Sequence, residues 1–388
     1  MANYIWSDAN RFYVATESKY GAPAPIQPSS RFQATRLKCH QSQQQSRRRD
    51  KTGARTYMGG SPTAPVTTRF EVDTVLTSWD ESTAPSCGPF VQAAMGEPPK
   101  FVGGLIVQTA NGSEIQTQSP HNLTVGSAIA SGKEIRFVTS VVDSDSVLIN
   151  LPFAINPTVG ATLASTVCYH LATALTSLSV YDYWDPAGAV SRIVTGAGVD
   201  MFQITVKGDV HELTFSGPAA DLLDSYSGAF GVSGALSFPA EPPVSEFDYS
   251  IVPGQLGAVW LGSPLNQVFT LTEAAIEIRN NLLVRSHEFG SSYPMALVSG
   301  PREVVSSFTL FAQDDTNTTS LYSAAKNRIP ISAMLQLGVQ PGQRMAVYLS
   351  NVVPELPLYE ESESNLLWTF NNSLAKGVAN DEAYIAFA

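Results

Sequence analysis

Short runs in which apolar and polar residues alternate recur along the chain, and each run predicts a strand with one buried face. Phe202 and Ile204 begin one such run, and Leu213 and Phe215 continue the pattern after a turn signal, Gly-Asp. Residues 201–216 are therefore predicted to form a hairpin. The same alternation predicts further strands at residues 304–310, 345–349 and 366–370.

Helical patterns are scarce, and the two best candidates, residues 89–95 and 320–328, resemble each other. Both place an apolar residue and two alanines at positions i, i+3 and i+4, which gives one narrow apolar stripe suited to close contact with a sheet. The stripe residues are Phe90, Ala93 and Ala94 in the first helix and Leu321, Ala324 and Ala325 in the second.

The segments around the two predicted helices follow one order. An extended run, a charged loop and a strand precede each helix, and two or three further strands follow it. The run and strand lie at residues 31–38 and 70–73 before the first helix, and at 271–279 and 308–311 before the second. This repeated order predicts an internal duplication.

The duplication predicts a first domain at residues 1–240 and a second at 252–388, joined by an extended linker at 241–251. The first domain is longer because residues 101–170 interrupt it between its helix and the next strand. This segment is interpreted as a small inserted β-domain, with its own strands at 134–138, 146–151 and 162–169. The predicted fold class is therefore mainly β, with two tandem domains that each carry a short helix, plus the insert.

Composition favours a structural protein. Charged residues make up 15% of the chain, against roughly 25% in a typical soluble domain, so Ser, Thr, Asn and Gln must supply much of the polar surface. The net charge of −11 opposes nonspecific binding to nucleic acid, which depends on Lys and Arg. Without a long apolar span or a signal-peptide pattern, the chain is expected to be soluble and made in the cytoplasm.

Catalytic and ligand-binding signatures are absent from the sequence. The five histidines are spread thinly, and none lies in a metal-ligand spacing with another His, Cys or carboxylate. The three cysteines, Cys39, Cys87 and Cys168, are far apart and are interpreted as free thiols. The chain is therefore expected to have no enzymatic activity, no cofactor and no metal.

One charged segment stands out, the loop at residues 42–55. Its cations are Arg47, Arg48, Arg49, Lys51 and Arg55. Three interpretations remain open: a contact with an acidic patch on a neighbouring subunit, a solvated loop, or a nucleic-acid arm. The acidic patch offered by the second half consists of Glu355, Glu360, Glu361 and Glu363.

Several of these segments resemble the tail tube proteins, or major tail proteins, of long-tailed siphophages. The resemblance is carried by residues 178–186, by Gly-Ala-Gly-Val-Asp at 196–200, by the hairpin up to 217, and by Trp-Thr-Phe at 368–370. It covers most of the chain except the insert, which is similar to β-modules that decorate other tail proteins. The motifs that carry it are structural rather than catalytic.

The resemblance implies a β-sandwich or split-barrel unit flanked by one helix. In that family six units close a ring through β-sheet between subunits, and rings stack into a tube for the genome. A chain with two units is expected to form rings of three copies with pseudo-sixfold symmetry, with the insert outside. Its expected partners are further copies of itself, a tape measure protein, a tail terminator and distal tail proteins, in a virion tail that is assembled in the host cytoplasm.

A lumen lined by acidic and neutral side chains would let double-stranded DNA slide without being bound. Glu71 and Asp73 are the candidates for lumen-facing residues, because they lie on the other face of their strand from Phe70 and Val72. The alternative is that both carboxylates lie in an interface salt bridge. Two other functions compete: a baseplate or tail-completion ring protein of the same fold, and a carbohydrate- or receptor-binding β-protein, which 14 Tyr and 5 Trp would suit.

Overall fold

The computed structural model describes residues 4–43, 51–56, 59–60, 65–79, 83–184, 191–224, 238–244, 250–286, 288–361 and 364–388. The prediction of a mainly β fold is confirmed, with antiparallel strands in several sheets and two α-helices among these residues. None of the described helices is long and apolar enough to cross a membrane.

The elements of the first half fall before, within and after the predicted insert. Before it lie β1 (Asn10–Thr16), β2 (Arg31–Phe32), β3 (Arg36–Gln43), β4 (Val66–Val75), α1 (Gly88–Met95) and β5 (Lys100–Val102). Next come β6 (Val107–Asn111), β7 (Glu114–Thr117), β8 (Ala128–Ser131), β9 (Glu134–Val141), β10 (Ser146–Ile149) and β11 (Thr166–His170). The last are β12 (Leu178–Trp184), β13 (Ser191–Ala197), β14 (Met201–Val206), β15 (His211–Ala219) and β16 (Asp221–Asp224).

The second half begins at one end of the largest sheet. Its first strands are β17 (Gly257–Gly262), β18 (Asn266–Gln267), β19 (Leu271–Arg279), β20 (Leu283–Val284), β21 (Leu297–Val298) and β22 (Glu303–Phe311). Helix α2 spans Thr316–Asn327. The strands after it are β23 (Ile331–Leu337), β24 (Met345–Val353), β25 (Leu358–Glu360), β26 (Leu367–Ala375) and β27 (Tyr384–Phe387).

The same series of antiparallel pairings occurs in both halves. In the first half β1 pairs with β12, β12 with β13, β3 with β4, β4 with β15, and β15 with β14. In the second half β17 pairs with β23, β23 with β24, β19 with β22, β22 with β26, and β26 with β25. The helix follows β4 in one series and β22 in the other.

Both predicted helices are present, and their ends have local causes. Helix α2 begins four residues earlier than predicted because Asp315 caps it, with Oδ1 accepting from the Thr318 amide at 2.6 Å. It ends at Asn327, because the next residue, Arg328, has a left-handed backbone conformation. The predicted stripes of both helices are buried, as the alanines allow.

Helix α1 packs between two sheets. One is a five-stranded sheet in the order β16-β13-β12-β1-β2, and the other is the fifteen-stranded sheet that contains β4, β15 and β14. The Phe90 ring lies 5.1 Å from the ring of Phe215, which stacks at 4.5 Å on the ring of Phe202. This aromatic stack joins the helix to the hairpin that the sequence predicted, which is confirmed by six residue pairs between β14 and β15.

The insert contains a separate five-stranded sheet in the order β6-β7-β10-β9-β8, with its own apolar core. The strand predicted at residues 162–169 belongs to the insert only in its first part, where Thr162 and Ala164 form isolated bridges to Ile106 and Ala130. Its later part was wrongly assigned: it forms as β11 and pairs with β5 and the last strand, β27, in the largest sheet. The reason lies in its burial: all five residues of β11 are buried, so it lacks the exposed face that a strand at the surface of a small insert would have.

The insert packs on the second half through a buried cation. Arg136 is 1% exposed, its guanidinium lies 4.9 Å from the ring of Trp260 and 5.4 Å from that of Phe153, and it contacts Glu134 at 2.5 Å. The Gln336 side chain on β23 also accepts from the Ile135 amide at 2.9 Å. The insert therefore covers the side of β23 and β24 that faces away from the main core.

Candidate functional site

Eight consecutive strands of the largest sheet form a section with one covered and one open face. Their order is β3-β4-β15-β14-β19-β22-β26-β25, and neighbours are antiparallel throughout. We call it the eight-strand section. Its first four strands come from the first half of the chain and its last four from the second half. We call each of these groups of four strands a set.

The covered face of the eight-strand section is apolar. It presents large buried side chains such as Val72, Phe215, Ile204, Ile276 and Phe308 to the main core. Both helices lie on this side, since their buried stripe residues belong to the same core. Alternation along each strand then places the polar side chains on the opposite face.

The open face can be followed from strand to strand by register. Asp73 lies opposite Thr214, Thr214 opposite Gln203, and Gln203 opposite Glu277. Residues directly opposite each other in a sheet share a face. We call this surface the polar face. A shallow cavity of about 550 Å³ on it has threonine as its commonest lining residue, and its charged lining residues are Glu273 and Glu360.

Carboxylates outnumber cations on the polar face. The register assigns to it the acids Glu71, Asp73, Glu212, Glu273, Glu277, Glu303 and Glu360, and the cations Arg36, Lys38, Arg69, Lys207 and Arg279. Short hydroxyl side chains fill much of the remainder. Such a surface offers few positive charges to a phosphate backbone.

The two predicted lumen-facing residues, Glu71 and Asp73, lie on this face. Both are half-buried and form ion pairs within the chain: Arg36 Nε donates to Asp73 at 2.7 Å, and Arg36 and Lys38 contact Glu71 at 3.1 and 2.9 Å. Thr214 also donates to Asp73 at 3.0 Å. Neighbouring strands of the same chain thus supply their salt bridges, so the pairs require no second subunit.

The two halves of the chain meet at a joint inside the eight-strand section. Strands β14 and β19 are antiparallel and pair along six residues, from Met201 opposite Arg279 to Val206 opposite Ala274. We call this the internal joint. It links the fourth strand of the first set to the first strand of the second set.

The outer strands of the section are β3 and β25. In the described parts of the chain, no strand pairs with the side of β3 that faces away from β4, or with the side of β25 that faces away from β26. We call these sides the outer edges. Along the section strand direction alternates, so β3 and β25 run in opposite directions, as β19 and β14 do at the internal joint.

The register fixes which β3 amides face the outer edge. The Val66 amide donates to Ser292 O at 3.0 Å instead of to its partner on β3, so the pair of Val66 and Gln43 is not hydrogen-bonded. Hydrogen-bonded and non-hydrogen-bonded pairs alternate along an antiparallel ladder. The amides of Leu37, Cys39 and Gln41 therefore point to the outer edge, and those of the residues between them point to β4.

The predicted contact between basic loop and acidic patch is only partly described. Lys51 and Arg55 are exposed, and Arg47, Arg48, Arg49 and Glu363 lie outside the described residues. Glu355 contacts Arg328 at 3.4 Å, Glu360 accepts from Thr369 at 3.4 Å, and Glu361 is exposed. Among described residues, neither Lys51 nor Arg55 meets these carboxylates, which lie near the opposite end of the eight-strand section.

Other reactive groups are dispersed through the described residues. No three His, Cys, Asp or Glu side chains there come together in a way that could hold a metal ion. The three cysteines are free, and burial raises the pKa of Cys39 to about 11 and that of Cys87 to about 12. Both of these thiols are therefore protonated near neutral pH and poor nucleophiles.

His211 predicts a loss of stability in mild acid. It begins β15, is 1% exposed, and burial lowers its pKa. The unfolded chain, whose histidines titrate near pH ~6.5, takes up the proton first, so the free energy of unfolding falls as pH drops below that value. In thermal melts at about pH 7.5 and about pH 5.5, His211→Gln should lose less stability than the wild type. His40→Gln, at an exposed position, should behave as wild type; an equal loss in His211→Gln would contradict the assignment.

Comparison with known proteins adds no relative to these observations. A scan against models of known protein families found no match, and a search of curated proteins found none either.

Proposed function

We propose that this chain is a structural subunit that closes into rings and stacks into a tube, in the manner of the tail tube proteins it resembles. Its two halves act as two tandem β-domains of one kind, and three copies form a ring with pseudo-sixfold symmetry. The insert decorates the outside, and the polar face lines the lumen through which DNA passes. In a virion tail its partners are other copies, a tape measure protein, a tail terminator and distal tail proteins.

The internal joint is the observation that carries the proposal. It is a pairing between the fourth strand of one set and the first strand of an equivalent set. The fourth and first strands that remain are β25 and β3, which carry the outer edges. They run in opposite directions, as β14 and β19 do at the internal joint. A second copy could therefore join β25 to β3 in the way that β14 already joins β19, and such joints repeat until a ring closes and no outer edge remains.

The loop after the first strand of each set supports the predicted subunit contact. In the second half the loop between β19 and β22 folds against the first half, and the Leu282 amide donates to Asp200 Oδ1 at 2.7 Å. Asp200 lies in the segment between β13 and β14. The segment of the second half that corresponds to it lies between β24 and β25 and contains Glu355. The loop of the first half that corresponds to the one between β19 and β22 is the basic loop, between β3 and β4. In a ring it would approach Glu355 of the next copy.

Electron microscopy of the purified protein tests this function. Stacked rings are expected, whereas a baseplate or tail-completion protein would form a single ring and stop. A carbohydrate-binding protein would form neither, and its thermal stability would respond to a glycan.

Charge reversal on the polar face should convert a non-binding lumen into a DNA-binding one. Glu273 is exposed on this face and has no ion pair among the described residues, so Glu273→Lys adds a cation without breaking a salt bridge. Tubes of the variant should retain short duplex DNA in co-sedimentation at low salt and release it as salt rises, because phosphate contacts displace counterions.

Wild-type tubes should retain no duplex DNA in the same assay. The matched control is Glu114→Lys on the insert, an exposed position expected to lie outside the tube. If Glu273→Lys tubes retained no more DNA than this control, the polar face would not be the lumen.

A further inference from the structure

A groove with several arginines lies beside the start of β3. It has a volume of about 630 Å³ and opens between β3 and the ends of β1, β12 and β13. Its charged lining residues are the four arginines Arg11, Arg31, Arg36 and Arg192 and one acid, Asp8, and Leu37 and Trp184 also line it. Leu37 lies on the covered side of the eight-strand section, opposite Val72, and Arg36 on the polar face, opposite Asp73, so the groove reaches the core side of β3 at its outer edge.

The arginines are held in place by carboxylates and an aromatic ring. Arg11 contacts Glu241 at 2.5 Å, and Arg192 contacts the buried Asp182 at 2.7 Å while lying 4.8 Å from the centre of the Trp184 ring. A guanidinium has five N–H donors, and one carboxylate accepts two of them in a bidentate pair. Arg192 directs Nε and Nη2 to Asp182, so its Nη1 can donate to another carboxylate that enters the groove.

At the internal joint the corresponding position is apolar. The last core-side residue of β14 is Val206, which packs against the main core of the protein. The turn after it also contacts the start of the second half, where the Gly254 amide donates to Asp209 O at 2.9 Å. At the internal joint, the end of the fourth strand therefore packs against the second half of the chain.

The end of β25 differs from the end of β14 in carrying two carboxylates. Glu360 lies opposite Leu367 on the polar face. Alternation along the strand puts the next residue, Glu361, on the core side. An apolar position like that of Val206 disfavours a carboxylate, because removing the charged group from water costs free energy. An arginine-lined groove would accept it.

We propose that the groove beside β3 binds the end of β25 from a second copy of this chain. Glu361 enters the groove among the arginines, and Glu360 lies on the polar face beside the cations of β3. This inference rests on the proposed ring, and it assigns the acidic end of β25 to the groove rather than to the basic loop. The contact is charge-assisted and should weaken as salt rises.

Glu361→Arg tests the groove directly. Placing a cation among the arginines should lower the fraction of protein in rings at a given concentration by about tenfold or more, equivalent to about 1.4 kcal/mol per tenfold. The melting temperature of the unassembled chain should stay as in the wild type, because Glu361 is exposed. The control, Glu114→Arg, makes the same charge change on the insert and should assemble normally.

A second measurement locates the contact independently of its strength. A photoreactive benzophenone side chain replacing Leu37 should cross-link, in assembled protein, to the peptide of another copy that contains residues 358–361. Rings formed equally well by Glu361→Arg, or cross-links only to other peptides, would overturn the groove assignment alone. Failure of the wild-type chain to form any ring would overturn the proposed function, and this inference with it.

Discussion

The Cys39→Pro chain should fold and remain a monomer, with no rings or tubes at concentrations at which the wild type assembles. Cys39 lies in the middle of β3, and its amide points to the outer edge. Proline removes this donor and places its own ring where a neighbouring strand would approach. Edge strands tolerate proline when the lost amide faces away from the sheet, so the fold itself should survive.

Two matched variants separate assembly from stability. Cys39→Ala keeps the amide and should assemble like the wild type. His40→Pro removes an amide that points to β4, so it should lose about 1–3 kcal/mol of stability for the broken ladder bond. Size-exclusion chromatography and thermal melts distinguish these outcomes. Normal rings from Cys39→Pro would show that the outer edge of β3 takes no part in assembly.

Phe215→Ala should destabilise the chain by about 3–5 kcal/mol, the usual cost of removing a buried phenylalanine from a core. Phe215 is fully buried and stacks between Phe90 of α1 and Phe202 of β14. Its loss leaves a cavity between the helix and the two strands that lead to the internal joint. Denaturant unfolding followed by tryptophan fluorescence measures the change.

The control for this core substitution is Phe269→Ala. Phe269 is 84% exposed, so its removal should change the free energy of unfolding by no more than about 0.5 kcal/mol. A similar loss in both variants would mean that the aromatic stack does not hold α1 on the sheet.

The sequence was sufficient to predict the elements that have one clearly buried face. Alternation at Phe202, Ile204, Leu213 and Phe215 predicted the hairpin, because a strand between core and solvent must alternate. The two helices were found from their alanine stripes. Their order relative to the strands also predicted a repeat, and the repeated series of pairings is in line with it.

Elements buried on both sides, or held only by distant partners, were harder to predict. Strand β11 was assigned to the wrong sheet because the sequence of a strand buried on both sides does not specify its partners. Strand β13 was missed beside the Gly-Ala-Gly segment, where Gly196 has a φ of 61° at the end of the strand. Asp315, directly before α2, is a preferred capping residue, and this local signal in the sequence marks the start of the helix at Thr316.

The candidate site depended on register, which no local pattern contains. Glu71 and Asp73 were predicted to share a face, but their ion pairs with Arg36 and Lys38 follow from the pairing of β3 with β4. The internal joint requires strands about 70 residues apart to align. Only the fold brings them together, and only the fold reveals which strands are left at the outer edges.

Cryo-electron microscopy of the assembled protein tests the proposed ring most directly. We predict closed rings of three copies in which β25 of each copy pairs with β3 of the next, so that the eight-strand section continues without a break around the lumen. A protein that remains monomeric, or that assembles with the outer edges of β3 and β25 exposed to solvent, would contradict it.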